Sequence, residues 1–211
     1  MGAAQRNLRF LNERHFTALR YTADNGTDLT VGLTDRHLWA GGCGETPDGH
    51  PFFPNIPTEE ICTTPAKYET NGVVYASRPL VLGGKKIENF GFRFEKGKVV
   101  EVLAGAGKEM LEALVATDEN AGYLGEAALV EYHSPISMSG LVYYTTLIDE
   151  NASCHLALGR GLNSSPAGHP DLFNDSTIHI DFMIGTPDMK IVGTTEDGRE
   201  VEIFRNGDFA L

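Results

Sequence analysis

The sequence is poor in cysteine, in basic residues and in long apolar runs, and each shortage removes a class of protein. Three cysteines (Cys43, Cys62 and Cys154) among 211 residues are too few, and odd in number, for a disulfide framework. Seventeen Lys and Arg face 29 Asp and Glu, which disfavours nucleic acid and anionic membranes as partners. No apolar run approaches the length that crosses a bilayer, and the first residues lack the apolar core of a signal peptide. We therefore expect a cytoplasmic protein.

Short β-branched or alternating segments separated by glycine-rich turns fill most of the chain and predict strands. Five of these segments are 16–21, 28–33, 73–77, 87–94 and 98–103. The clearest helix is predicted over 108–117 from helical spacing of apolar residues, with a weaker one over 5–14. The excess of strands predicts an α+β fold with a mixed, largely antiparallel β-sheet and few helices. We expect a single domain over residues 1–211.

Two loops stand out between the predicted strands. Lys96-Gly97 is typical of a two-residue hairpin turn between the strands on either side. Residues 40–57 are rich in glycine and proline and predict a long loop, which in a compact domain is often functional.

The segment 177–184 carries the most informative polar pattern. Successive side chains of a strand point to opposite faces, so His179 and Asp181 would share one face and alternate isoleucine and phenylalanine residues the other. Imidazole and carboxylate donors on one side of a strand can form part of a metal site. An exposed polar face with the same two residue types is the other interpretation, and the strand alone does not decide between them.

A second strand is predicted over 153–158. Cys154 and His155 are neighbours in it and would point apart, so they cannot form a nucleophile and base pair. Cys154 is expected to be a small buried residue, and a lone histidine such as His155 is more often structural than a ligand. Carboxylates also occur at 59–60, at Glu126 and at 149–150, although most acidic clusters are solvated surface.

Four segments, taken in order, carry a family resemblance. They are Asn-Ile-Pro-Thr-Glu-Glu (55–60), Leu-Gly-Glu (124–126), Asp-Glu-Asn-Ala-Ser-Cys-His-Leu-Ala-Leu-Gly (149–159) and His-Ile-Asp-Phe-Met-Ile-Gly (179–185). This series resembles the aminopeptidase S/aminopeptidase T (PepS-type) family of dinuclear metallo-aminopeptidases. The third and fourth segments are specific, and weaker similarity extends the resemblance to nearly the whole chain.

The resemblance implies an enzyme that releases N-terminal residues from peptides through a metal-activated water. It implies two divalent metal ions, for which mixed nitrogen and oxygen donors suit zinc, cobalt or manganese. It also implies a homodimer. The five implied ligands are Glu60, with Glu59 as the alternative at that position, Glu126, His155, His179 and Asp181. Of these, Glu126 is expected to bridge the metals or to act as the general base.

Two departures from the family qualify this expectation. Family members are about twice as long, so this chain corresponds to their C-terminal, metal-binding half, without the N-terminal domain. The family also has a tyrosine seven residues after the histidine of the third segment, where this sequence has Leu162. We therefore expect metal affinity that is close to normal but weak peptidase turnover, unless Tyr123, Tyr143 or Tyr144 supplies the hydroxyl.

Two other functions fit parts of the same pattern. His155, His179 and Asp181 are two histidines and one carboxylate, which is the ligand set of mononuclear non-haem iron oxygenases. A metal-binding assembly domain with impaired catalysis is consistent with Leu162. Metal stoichiometry separates the peptidase from the oxygenase, and peptide turnover separates both from the assembly domain.

Overall fold

The computed structural model describes residues 3–41, 44–52, 59–162 and 174–211. Its α-helices are short, and none of the described helices is long and apolar enough to cross a membrane. They are α1 (Ala3–Arg14), α2 (Lys108–Val115), α3 (Pro135–Met138) and α4 (Thr146–Asp149), and a 3-10 turn (Glu150–Ala152) follows α4.

The larger sheet has eight strands, and each pairs antiparallel with its neighbours. In spatial order they are β11 (Lys98–Ala104), β10 (Phe90–Glu95), β7 (Thr70–Tyr75), β2 (Asp28–Gly32), β1 (Phe16–Thr22), β15 (Lys190–Thr195), β16 (Glu200–Arg205) and β17 (Asp208–Phe209). Several of these strands alternate buried and exposed residues, as expected for a sheet with one solvated face.

The smaller sheet has five strands and is also antiparallel throughout. Its order is β14 (His179–Met183), β13 (His155–Gly159), β12 (Leu124–Leu129), β6 (Ile61–Thr63) and β3 (Ala40–Gly41). Two small hairpins complete the described elements: β4 (Gly44–Glu45) with β5 (Pro51–Phe52), and β8 (Leu80–Leu82) with β9 (Lys85–Ile87).

Aromatic residues join the two sheets into one hydrophobic core. The ring centroid of Phe182, on β14, lies 5.1 Å from that of Phe92 and 6.2 Å from that of Phe90, both on β10. All three rings are buried. Because Phe182 faces this core, the side chains on the other face of β14 point away from it.

The predicted α+β, largely antiparallel fold is confirmed, and so is the hairpin at Lys96-Gly97. Both residues have positive φ (50° and 82°), as a type I′ turn requires. A Cβ on Gly97 would lie 1.9 Å from the Lys67 carbonyl oxygen, so only glycine fits there.

Three predicted elements differ from the structure in their bounds. The predicted strand 87–94 is broken, because Asn89 adopts a left-handed conformation (φ 53°) between β9 and β10. The predicted loop 40–57 contains β3, β4 and β5, while residues 42–43 and 53–58 lie outside the described ranges. The predicted helix 108–117 forms but ends at Val115.

Candidate metal centre

Strand register brings four of the five predicted ligands to one face of the smaller sheet. Glu126 on β12 lies opposite Ala157 on β13, which lies opposite Asp181 on β14. His155 is two residues before Ala157 and His179 two residues before Asp181, so both imidazoles share that face. The face of β14 that carries His179 and Asp181 thus continues across β13 and β12, which add His155 and Glu126 to it.

Glu60, the fifth predicted ligand, reaches the same face from the residue before β6. Its Oε2 lies 3.8 Å from His155 Nε2, which is also 3.8 Å from Glu126 Oε1. The neighbouring Glu59 is exposed and interacts electrostatically with Glu131 instead. Of the two adjacent glutamates, the structure therefore brings Glu60 into the cluster.

The donor atoms fall into two groups that share Glu126. Glu60, Glu126 and His155 form one group, and Glu126, His179 and Asp181 the other, with the atoms of each within 4.8 Å of one another. In the second group His179 Nε2 lies 3.1 Å from Glu126 Oε2 and 3.3 Å from Asp181 Oδ1. In the described part of the chain, no further trio of His, Cys, Asp or Glu side chains converges in this way.

Burial makes this arrangement costly without a cation. β12 and β13 are buried along their whole length, and Glu126 and His155 are only 4% and 1% exposed. A buried carboxylate is stable only when it is paired or bound to a metal. The donors are nitrogen and oxygen atoms of three carboxylates and two imidazoles, which is a set that borderline divalent cations accept. The residues present therefore fit two such ions.

Protons and metal ions compete for these side chains. Hydrogen bonds with Asp181 and Glu126 raise the pKa of His179 to about 11. Burial lowers the pKa of His155, but Glu126 and Glu60 outweigh it and raise that pKa to about 10. Burial raises the pKa of Glu126, yet the two imidazoles hold it well below its usual value. A metal ion must displace these imidazole protons, because only neutral imidazole is a ligand.

The orientation of His179 is fixed by the backbone. Its Nδ1 donates a hydrogen bond to the Arg160 carbonyl oxygen at 2.7 Å, which leaves Nε2 to face Glu126 and Asp181. Arg160 is held in turn because its Nε donates to the Ser176 carbonyl oxygen at 3.0 Å. Such outer partners set the tautomer and direction of a metal-binding histidine.

Asp118, in the loop after α2, anchors the segment that leads into β14. Its carboxylate accepts hydrogen bonds from the Thr177 backbone N (2.8 Å), the Thr177 hydroxyl (2.7 Å) and the Ser176 hydroxyl (2.9 Å). These bonds hold the pKa of Asp118 well below its usual value. Sequence reasoning missed Asp118 and Arg160, because neither lies in a metal-ligand pattern and Asp118 is 59 residues from Thr177.

Leu162 lies beyond the end of β13, next to Thr64, the residue that follows β6. Its backbone N donates to the Thr64 hydroxyl at 3.0 Å, and this hydroxyl donates back to the Leu162 carbonyl oxygen at 3.4 Å. Residues 163–173 lie outside the described ranges.

The three tyrosines considered as substitutes make contacts elsewhere. The Tyr123 ring packs edge-on against Tyr68, with centroids 5.6 Å apart, beneath two lysine ammonium groups. Tyr144 is exposed, and its ring centroid lies 6.0 Å from Lys86 Nζ. Tyr143 is also exposed and donates its backbone N to Asp149.

Known proteins are similar to this chain over most of its length. The profile of the thermophilic metalloprotease family (M29) matches residues 2–209. Aminopeptidase AmpS of Bacillus subtilis (strain 168) is 48% identical over 210 residues, which are 95% of this chain and 51% of that protein. Aminopeptidase T of Thermus aquaticus is 45% identical over 209 residues, which are 96% and 51%. The chain spans about half the length of the curated relatives it matches.

Solved structures are similar to this chain as well. Wild-type AmpT from Thermus thermophilus superposes with a TM-score of 0.94 and 43% identity over 98% of this chain and 53% of that one. The 2,5-dihydroxypyridine dioxygenase from Pseudomonas putida KT2440 has a TM-score of 0.70 over all of this chain and 60% of that one, but only 13% identity, which is a likeness of fold alone. From the profile match and these relatives, the chain belongs to the thermophilic metalloprotease family, M29.

Proposed function

We propose that this chain is the metal-binding catalytic part of a metal-dependent aminopeptidase that releases N-terminal residues from peptides. The observation that carries the proposal is the pair of three-donor groups that meet at Glu126. Relatives with 42–48% identity are named aminopeptidases, which supports peptides as the substrate class.

Each residue of the cluster has a role in this proposal. Glu60 and His155 would hold one cation, His179 and Asp181 would hold the other, and Glu126 would contribute to both groups. When bound, the two cations supply Lewis acidity towards the peptide carbonyl and acidify a water molecule. Glu126 is the carboxylate with one oxygen towards each group, so we assign to it the position that the two cations would share, with acceptance of the water proton as the alternative role.

The chemistry of the donor atoms also limits which metals suit the site. All five proposed donors are nitrogen or oxygen, which favours zinc, cobalt or manganese over metals that prefer thiolate. In the described residues Cys62 and Cys154 are free thiols, which supports a reducing, cytoplasmic location. One core shared by both sheets supports a single domain over 1–211, and the homodimer rests on the family resemblance.

Mononuclear iron oxygenation is the weaker candidate. A two-histidine, one-carboxylate iron site needs its three donors around one ion. Here His155 belongs to the group with Glu60, whereas His179 and Asp181 belong to the other group. The structural likeness to a dioxygenase concerns the fold only, so it adds nothing in favour of this chemistry.

The test removes metal from the full chain, restores it, and follows release of the N-terminal residue from a dipeptide. We expect hydrolysis that depends on the added metal and fails on the same peptide with an acetylated N-terminus. Oxygen consumption with iron and no hydrolysis would favour the oxygenase. Metal binding without hydrolysis of any peptide tried would favour an impaired assembly domain.

Adjacent glutamates provide a matched control for the site. Glu60→Gln should lower both metal occupancy and hydrolysis, because it replaces an anionic carboxylate of the cluster with a neutral amide, which binds cations weakly. Glu59→Gln should change neither, because Glu59 is exposed and outside both donor groups. Equal effects of the two substitutions would contradict the assignment of Glu60.

A further inference from the structure

A buried thiol lies within the face that carries the proposed ligands. Cys62, in the middle of β6, is paired with Ala40 of β3 on one side and Ala128 of β12 on the other. Both partners present only a methyl group, and Cys62 is 8% exposed. The two residues paired with Cys62 therefore offer no polar side chain to the thiol.

Register places this thiol between two carboxylates. Glu60 is two residues before Cys62, and Glu126 is two residues before Ala128, the residue opposite Cys62. Residues two apart in a strand share a face, so Glu126 and Ala128 lie on one face of β12, and Cys62 shares that face through its pairing with Ala128. Glu60 precedes β6, and its approach to His155 brings its side chain to the same face. Burial raises the pKa of the Cys62 thiol well above its usual value, and the neighbouring Glu126 and Glu60 carboxylates raise it further.

The two carboxylates differ in how firmly they are held. Glu126 has one oxygen 3.8 Å from His155 and the other 3.1 Å from His179. Glu60 has His155 at 3.8 Å, which is beyond hydrogen-bond length, and its side chain is 17% exposed. A carboxylate that binds a metal through one oxygen needs a donor at the other oxygen to fix its direction.

We propose that the Cys62 thiol donates a hydrogen bond to the Glu60 carboxylate and so orients it within the first donor group. Cys62 is then a positioning residue and not a metal ligand. This inference rests on the proposed metal site. Neither group of donor atoms that converge within 4.8 Å includes the Cys62 sulfur, so the proposal gives the sulfur no place among the ligands.

The first test measures zinc affinity of the full chain by competition with a chromophoric chelator. Cys62→Ala should lower the affinity for one zinc ion, the one assigned to the group of Glu60 and His155, about 10- to 100-fold, as loss of an outer-sphere partner typically does. Cys62→Ser keeps a donor and should recover most of that loss. Cys62→Val keeps the volume without a donor and should behave like alanine. An affinity unchanged in both the alanine and the valine variants would overturn the proposal.

Cys154 provides the matched control. It is also a buried thiol of the smaller sheet, but its sulfur donates to the Val130 carbonyl oxygen at 3.4 Å and is not among the metal-centre contacts. Cys154→Ala should lower the melting temperature and leave both zinc affinities unchanged. A comparable loss of zinc affinity in this variant would mean that the effect of Cys62→Ala is one of general packing.

A second readout separates a hydrogen-bond donor from a ligand. The cobalt-loaded protein should show no sulfur-to-cobalt charge-transfer absorption, and Cys62→Ala should leave its near-ultraviolet spectrum unchanged. A sulfur band that disappears in Cys62→Ala would make Cys62 a ligand and overturn the positioning role.

The same zinc titration distinguishes failure of this inference from failure of the metal site itself. Glu60→Gln and His179→Ala are included beside the cysteine variants. If both of these retain two zinc ions at wild-type affinity, the proposed site is wrong. If they lose zinc and the Cys62 variants do not, only the role of Cys62 is wrong.

Discussion

The two sheets of the molecule carry their charges in opposite ways. In the eight-stranded sheet, charged residues form exposed pairs of opposite sign, such as Arg20 with Asp28 and Arg93 with Glu101, whose side chains are between 38% and 60% exposed. In the five-stranded sheet, Glu126 and His155 are buried, and the basic groups in contact with Glu126 are imidazoles.

This difference shows which charged residues the fold can lose and which form the candidate site. Exposed ion pairs contribute little to stability, and a sheet tolerates their loss. Buried carboxylates oppose folding unless a partner compensates them, so the buried Glu126, with the partly buried Glu60 and Asp181 around two histidines, forms a set that fits a cation. The eight-stranded sheet is thus the scaffold, and the five-stranded sheet carries the candidate centre on the face away from Phe182.

The largest effect is expected from His179→Ala. Removing this imidazole leaves the second donor group with two carboxylates, so metal occupancy should fall and peptide hydrolysis should drop to background. The fold should persist, because Phe182 on the opposite face of β14 holds the strand against the core. Metal analysis checks the loss of metal, and circular dichroism checks that the fold persists. Unchanged metal content in this variant would mean that His179 is not a ligand and that the polar face of β14 is an ordinary surface.

A substitution in the core of the eight-stranded sheet should have the opposite effect, a loss of stability without a loss of metal. Phe92→Ala removes a buried ring that packs against Phe182, and large-to-small changes of this kind cost about 3–5 kcal/mol of unfolding free energy. Urea unfolding should show that loss, while the metal bound per folded chain stays at the wild-type value. Loss of metal at concentrations of urea where the variant is fully folded would mean that the two sheets do not divide their roles as described.

Leu162→Tyr should increase turnover without changing metal content. The family resemblance implies a tyrosine at this position, and one hydrogen-bond donor to a developing oxyanion is typically worth about 10²–10³ in turnover, roughly 2.7–4 kcal/mol. The rate of dipeptide hydrolysis by wild type and variant, at saturating metal, tests this expectation. A wild type that is already fast, with no gain in the tyrosine variant, would show that the hydroxyl is dispensable here.

A smaller effect, dependent on pH, is expected from Asp118→Asn. The pKa of Asp118 is depressed in the folded chain by its hydrogen bonds from Thr177, compared with an ordinary value of 3.8. Its stabilising contribution is therefore complete above that value and is lost as the pH falls through the folded pKa. Urea midpoints should show wild type above Asp118→Asn at neutral pH, with the gap closing in strong acid. A gap that is independent of pH would rule out the charge as its source.

The smallest effect is expected on the exposed side of the eight-stranded sheet. Arg20→Ala breaks a pair whose two hydrogen bonds to Asp28 are both 3.0 Å long, yet both side chains are well exposed. Its urea midpoint and metal content should stay close to those of wild type. A large drop in either would contradict the contrast between exposed and buried charge.

Local sequence patterns predicted the strands but only part of the centre. The alternation in 177–184 predicted that His179 and Asp181 share a face, because a period of two needs no tertiary information. The grouping of Glu126 with His155 depends on pairing between β12 and β13 and on a register shift between Leu124 and Glu126, which no local pattern encodes. The family resemblance supplied Glu60 and Glu126, and that they bind metal stays a prediction.

The surrounding contacts lay beyond sequence reasoning for the same reason. Asp118 reaches Thr177 across 59 residues, and Arg160 holds His179 through a backbone oxygen that every residue type has. Cys62 was counted only as one of three cysteines, because its position between two carboxylates follows from the pairing of β6 with β12.

The most direct test of the central claim is the number of divalent ions bound per chain. Elemental analysis after complete metal removal and reconstitution with zinc, cobalt or manganese should give two ions per wild-type chain, because Glu126 joins two donor groups that are otherwise separate. His179→Ala and Glu60→Gln should each give fewer. A single ion at saturation in the wild type, with iron preferred, or no loss in either variant, would contradict the account.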